Sequence, residues 1–168
     1  MQKTRPSHDK DISEMDVTVI NSEDGVINND AYSRRSDLKA VRIAEGITII
    51  NARAFWNCSH LTSVEIPDGV LEIGDCAFSD CPNLASITIP NSVKKIGEAA
   101  FANTGLTSIT LPEGIDEIGY GAFCDCKKIT SIVIPNKQID GSIFRGCSAL
   151  ESDIIANGVL IFWKKNNS

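Results

Sequence analysis

At 168 residues and 42% apolar content, the chain is the size of one soluble domain. A net charge of −6 offers no basic stripe for nucleic acid, and no run of about 18 apolar residues is present to span a membrane. Acidity of this size serves solubility.

Residues 1–16, MQKTRPSHDKDISEMD, are hydrophilic, mix both charge signs and lack an apolar signal core. They read as a disordered leader or cloning remnant, so the chain as written reads as cytoplasmic. Residues 17–37 read as a degenerate first repeat. Val17 and Val26 keep the nine-residue spacing of Leu61 and Val70, and Ala31-Tyr32 stands where later repeats have Ala-Phe, although this unit comes out two residues short.

Five clearer repeats fill 38–149, starting at Leu38, Leu61, Leu84, Leu106 and Ile129. LTSVEIPDGVLEIGDCAFSDCPN from Leu61 is answered by LASITIPNSVKKIGEAAFANTG from Leu84 and LTSITLPEGIDEIGYGAFCDCKK from Leu106. A period of 22 to 23 residues with fixed apolar positions marks a solenoid. The fifth repeat is contracted between Pro135 and Phe144. Residues 150–163 allow a hairpin at Asn157-Gly158 or a truncated cap repeat; the nine residues from Leu150 to Val159 favour the cap, with Phe162 or Trp163 over the last edge. Residues 164–168 form a solvated tail.

Within one unit, Leu61, Val64 and Ile66 face inward on a short strand, while Thr62, Ser63 and Glu65 face outward. Pro67, repeated at Pro90, Pro112 and Pro135, has no N–H for the ladder and ends the strand. Val70 and Ile73 supply a second inward pair. Gly74, with Gly97, Gly119 and Asn51 in its column, is expected to take a left-handed backbone. Ala77-Phe78 closes the coil on a short helical turn, and Cys81 follows in a column with Cys58, Cys126 and Cys147, where Thr104 replaces one thiol. A buried thiol there is expected to face loop carbonyls. No unit buries its inward face alone, so the coils must stack, six to seven of them forming a rod of roughly 30 Å.

The pattern L-T-S-I-x-I-P-x-x-V-x-x-I-G-x-x-A-F-x-x-C resembles the BspA-like leucine-rich repeat family over about 115 residues. The resemblance implies a mainly β, right-handed leucine-rich-repeat solenoid of parallel strands with short helical turns. It also implies membership of larger surface-exposed proteins that act in adhesion, and thereby a cell-surface location. It carries no catalytic residues.

The outward strand positions are Lys39, Ala40, Arg42; Thr62, Ser63, Glu65; Ala85, Ser86, Thr88; Thr107, Ser108, Thr110; and Thr130, Ser131, Val133. Binding hot spots favour Trp, Tyr and Arg, so Lys39, Arg42 and Glu65 at the N-terminal end are the candidate contacts on this face. Trp56 and Tyr120, with Ile49, are a candidate aromatic patch on the convex side. Leu71-Glu72, Lys94-Lys95 and Asp116-Glu117 form an expected charge ladder on the opposite strand.

Cys124-Asp125-Cys126 lacks the spacing and the histidine partners of a zinc site, since the only histidines are His8 and His60. Parallel stacked cysteines point alike, so all six are expected to be reduced. No nucleophile–base pair and no phosphate loop is legible, and the Asn57-Cys58-Ser59 sequon is discounted because Cys58 faces inward. The expectation is therefore a non-enzymatic module with no cofactor and no metal, binding a protein partner or self-associating through its capped ends. The alternative is a structural spacer without a partner.

Overall fold

The computed structural model describes residues 17–134 and 139–150, with the backbone of two further strands at 153–156 and 159–162. The expectations for residues 1–16, Pro135, Trp163 and residues 164–168 lie outside the described residues.

Each of the first five coils contributes one front and one back strand, and the sixth contributes a front strand among the described residues. The front strands are β1 (Val17–Ile20), β3 (Ala40–Ile43), β5 (Ser63–Glu65), β7 (Ser86–Thr88), β9 (Ser108–Thr110) and β11 (Ser131–Val133). The back strands are β2 (Val26–Ile27), β4 (Ile49–Ile50), β6 (Glu72–Ile73), β8 (Lys95–Ile96) and β10 (Glu117–Ile118). All pairings among them are parallel, and the back strands form one five-stranded sheet. The front splits into a four-stranded sheet, β1-β3-β5-β7, and a separate pair, β9-β11.

Strand alternation explains why these segments pair. Val64 is buried between Ser63 and exposed Glu65, and Ile109 between exposed Ser108 and Thr110. Ile50, Ile73 and Ile96 fill the inner side of the back sheet. Between the sheets, Tyr32, Phe55, Phe78, Phe101, Phe123 and Phe144 stack in one column with ring centroids 5.2 to 5.5 Å apart. Such pairs add about 0.5–1.5 kcal/mol each beyond their burial. Ala54, Ala77, Ala100 and Ala122 are fully buried beside the rings, because a larger side chain would hold the coils apart. The expected helical turn is a 3₁₀ helix at Gly141–Phe144, and in earlier coils it is a run of tight turns such as Ala54 N–H to Asn51 O.

Four expectations are corrected. Val17 pairs with Ala40 and Tyr32 stacks on Phe55, so the first coil keeps the 23-residue period; its two-residue shortfall came from aligning Val17 with Leu61. Ala40, expected outward, is buried. Residues Asp153–Ala156 (β12) pair antiparallel with Val159–Phe162 (β13), so this segment is a hairpin and not a truncated coil. It lies beside β11, and the antiparallel register that sets Ala156 opposite Val159 is that of a hairpin, the alternative the sequence also allowed.

The fourth correction concerns the glycines. Gly74, Gly97 and Gly119 do not have positive φ. Positive φ occurs instead two residues before the ring, at Asp30, Arg53, Cys76 and Ala99, and two residues after it, at Arg34, Asn57, Asp80, Asn103 and Asp125. These residues turn their N–H groups onto the next coil, as Cys76 does to Glu98 O and Asp80 to Ala102 O. The third side of the coil is thus hydrogen-bonded although it is not a sheet. Gly74, Gly97 and Gly119 are required by proximity: a Cβ on Gly97 would stand 2.5 Å from Asp75 N and 2.6 Å from Gly74 C.

Candidate functional site

The front face is built by the outward residues of the front strands. Arg42 and Glu65 face each other directly across β3 and β5, and Arg42 Nε donates to Glu65 Oε2. Glu65 raises the Arg42 pKa through that hydrogen bond and its charge. The pair is half exposed on both sides, where solvent screens the contact and it adds little to stability. Thr88 and Thr110 continue this row, and exposed Val19 and Val133 end it. Lys39 is exposed just before β3, and its carbonyl accepts the Thr62 N–H at 2.8 Å and the Thr62 hydroxyl at 2.9 Å. Lys39, Arg42 and Glu65 therefore share one end of one face.

Trp56 and Tyr120 are not brought together. They lie on loops three coils apart, about 14 Å along the axis at sheet spacing. Trp56 is half-buried; its Nε1–H donates to Asp80 Oδ2 at 2.8 Å, and the Arg34 guanidinium stands 4.7 Å from the ring centroid. Tyr120 is 56% exposed and accepts from Arg145 Nη1 at 3.2 Å. Ile49 belongs to β4, paired with Val26 and Glu72. The proposed single patch resolves into two aromatic sites, each with its own arginine. The Arg34–Trp56–Asp80 arrangement escaped sequence reading because its members come from three different repeats.

On the back sheet, Glu72, Lys95 and Glu117 occupy one row, with Lys95 Nζ 3.5 Å from Glu72 and 4.0 Å from Glu117. This is the expected charge ladder. The four cysteines of the repeat column are buried, and each thiol donates to a carbonyl of the preceding coil: Cys58 to Tyr32, Cys81 to Phe55, Cys126 to Phe101 and Cys147 to Phe123, at 3.0 to 3.2 Å. Thr104 caps Phe101 O of its own coil and touches Cys126 Sγ at 3.0 Å. The adjacent Cys58 thiol, and then burial, push the Cys81 pKa up. Cys124 is half-buried and raised to about 11 by burial and then by Asp125. All six cysteines are free thiols. Among the described residues, no group of three or more His, Cys, Asp or Glu side chains is placed to hold a metal, and no helix is long and apolar enough to cross a membrane.

The BspA type leucine-rich repeat model matches residues 25–151 in six copies. Among solved structures, the chain is similar to a leucine-rich repeat protein from Bacteroides ovatus, with 33% identity, a TM-score of 0.73, and coverage of 80% of this chain and 38% of that one. It is similar to the leucine-rich repeat protein of T. pallidum at 34% identity and a TM-score of 0.73, covering 80% of this chain and 66% of that one. A leucine-rich cell surface protein from Faecalibacterium prausnitzii matches at 27% identity and a TM-score of 0.57, covering 84% of this chain and 41% of that one. The chain thus spans 38% to 66% of the length of these structures. No significant match was found among curated proteins. Neither the matching family nor the structural neighbours point to a catalytic activity. The chain belongs to the BspA type leucine-rich repeat family.

Proposed function

We propose that this chain is a non-enzymatic interaction segment of a surface protein, contacting a protein partner along its front strands. The observation that carries the reading is the division of labour between faces. The inward side chains pack the core, and half-buried Trp56 and exposed Tyr120 are each engaged by an arginine of a neighbouring coil. The residues Arg42, Glu65, Thr88, Thr110 and Val133 occupy exposed positions of the successive front strands. Surface placement draws on the Faecalibacterium neighbour, a cell surface protein.

The test is capture of partners from intact cells with wild type, Arg42→Ala/Glu65→Ala and Thr88→Arg/Thr110→Arg. Loss of a partner in either front-face variant, with retention by Trp56→Ala, supports the reading. Equal capture by all proteins removes the front face. The spacer reading is favoured by one observation: Arg42 and Glu65 neutralise each other. It expects no partner for any of the four proteins.

A further inference from the structure

We propose that the junction between β7 and β9 is a one-sided hinge, open on the front face and held on the back. The unit from Leu84 has 22 residues where the units before it have 23, the missing residue falling between Phe101 and Leu106. In the other coils the leading apolar residue closes a tight turn onto its own cysteine carbonyl, as Leu61 does to Cys58, Leu84 to Cys81 and Ile129 to Cys126. In the short unit Gly105 N–H reaches back to Cys81 O instead, at 3.4 Å, and a Cβ on Gly105 would collide with Pro82 O. Thr104 turns its hydroxyl to its own coil, so the side-chain tie from this column to the preceding coil is lost there.

The effects concentrate on the front. No ladder joins β7 to β9, although Thr107 N–H still meets Ala85 O at 3.2 Å. Ile87 is only partly buried, whereas Val41, Val64, Ile109 and Ile132 in the same inward row are buried. Behind this gap the back sheet runs unbroken through β6, β8 and β10, and the ring stack continues from Phe78 to Phe101 to Phe123 at 5.4 and 5.3 Å. Two blocks joined at the back and unzipped at the front can tilt about the back sheet. That motion changes the curvature of the front face and exposes or covers Ile87. It requires no partner and stands apart from the proposed function.

The test is native-state amide exchange on the whole chain. Ala44 N–H donates to Ile20 O of the preceding coil and Leu111 N–H to Val133 O of the following one, so strand alternation and register turn the N–H groups of Glu65, Thr110 and Val133 to the preceding coil. The Thr110 amide is expected to exchange at least about tenfold faster than those of Glu65 and Val133. The Gly119 amide, which donates to Ile96 O at the back of the same junction, should stay protected. Equal protection of Thr110 and its two equivalents overturns the hinge. So does equally fast exchange of Gly119, which means fraying of a whole coil. Replacing residues 102–105 by the five-residue sequence at 79–83 restores the 23-residue length and should bring Thr110 protection up to that of Glu65. A folded replacement protein with unchanged fast exchange at Thr110 also counts against the proposal; if the replacement does not fold, the wild-type comparison decides.

Discussion

Gly97→Ala separates two explanations of a repeated glycine by the sign of its effect. The residue does not have positive φ, so alanine meets no backbone penalty of the left-handed kind. On conformational entropy alone the substitution would stabilise the protein by about 0.4–1 kcal/mol, through a less flexible unfolded chain. Proximity predicts the reverse. The new Cβ would lie 2.5 Å from Asp75 N and 2.6 Å from Gly74 C, both backbone atoms that no rotamer change can move.

Relief requires the coils to part by about 1 Å, the shortfall from ordinary carbon contact distances. That separation stretches the bond from Gly97 N–H to Ile73 O, now 2.7 Å, and strains the Phe78–Phe101 stack four residues on. Overpacking of this kind destabilises by about 1–3 kcal/mol. Gly69→Ala is the contrasting case: φ is +103° and no atom lies within 4 Å of the added carbon, so only backbone strain of about 1–2 kcal/mol applies. Urea unfolding followed by far-UV circular dichroism gives both values, with the m-value checking that cooperativity is unchanged. A Gly97→Ala protein as stable as wild type, or more so, refutes the close-approach account.

Three further outcomes follow from the columns. Cys81→Ala strands the Phe55 carbonyl in the core and should lower stability by about 1–3 kcal/mol, while Cys81→Thr keeps a donor and should lose less, both read from urea midpoints. Cys124, raised to about 11, should alkylate slowly at neutral pH and accelerate as pH rises towards that value. Because its folded pKa lies above the unfolded value of 9.0, its contribution to stability is complete below pH 9 and is lost as pH rises to about 11; iodoacetamide rates against pH, followed by peptide mapping, check this. Lys95→Glu places three acids side by side between Glu72 and Glu117 and should destabilise by about 1 kcal/mol, an effect that salt reduces in thermal melts.

The coil was legible in the sequence because inward positions recur with one residue type. Leu61, Leu84 and Leu106, the ring column and the cysteine column announce themselves by identity. The left-handed positions do not: Asp30, Arg53, Cys76 and Ala99 share a backbone conformation and no side-chain chemistry, because a hydrogen bond to the next coil imposes the turn. The glycine column was visible while its cause was not, since close approach is a property of two stacked coils. The two-residue shortfall of the first coil arose because Val17 is apolar like Leu61; only its pairing with Ala40 shows that it stands level with Ser63. Arg42 and Glu65 were legible as a pair of charges on one face; that they neutralise each other follows from their register.

Under the proposed function, a partner would read this chain along its outward row. Inward residues must match the coil above and below, so they carry little that is peculiar to one coil. The outward row is under no such constraint. It passes from Val19 to Arg42, Glu65, Thr88, Thr110 and Val133, apolar at both ends, ionic near one and hydroxylic through the middle. At strand spacing this order spans about 24 Å, long enough for an extended surface to register against it in one direction only. The unpaired junction falls between Thr88 and Thr110, inside the hydroxylic stretch. Tilting there would change the distance between the ionic pair and Val133 while leaving every inward contact of the back sheet in place. A rigid face recognises one shape; a face jointed at its middle accepts a range of curvatures with the same side chains.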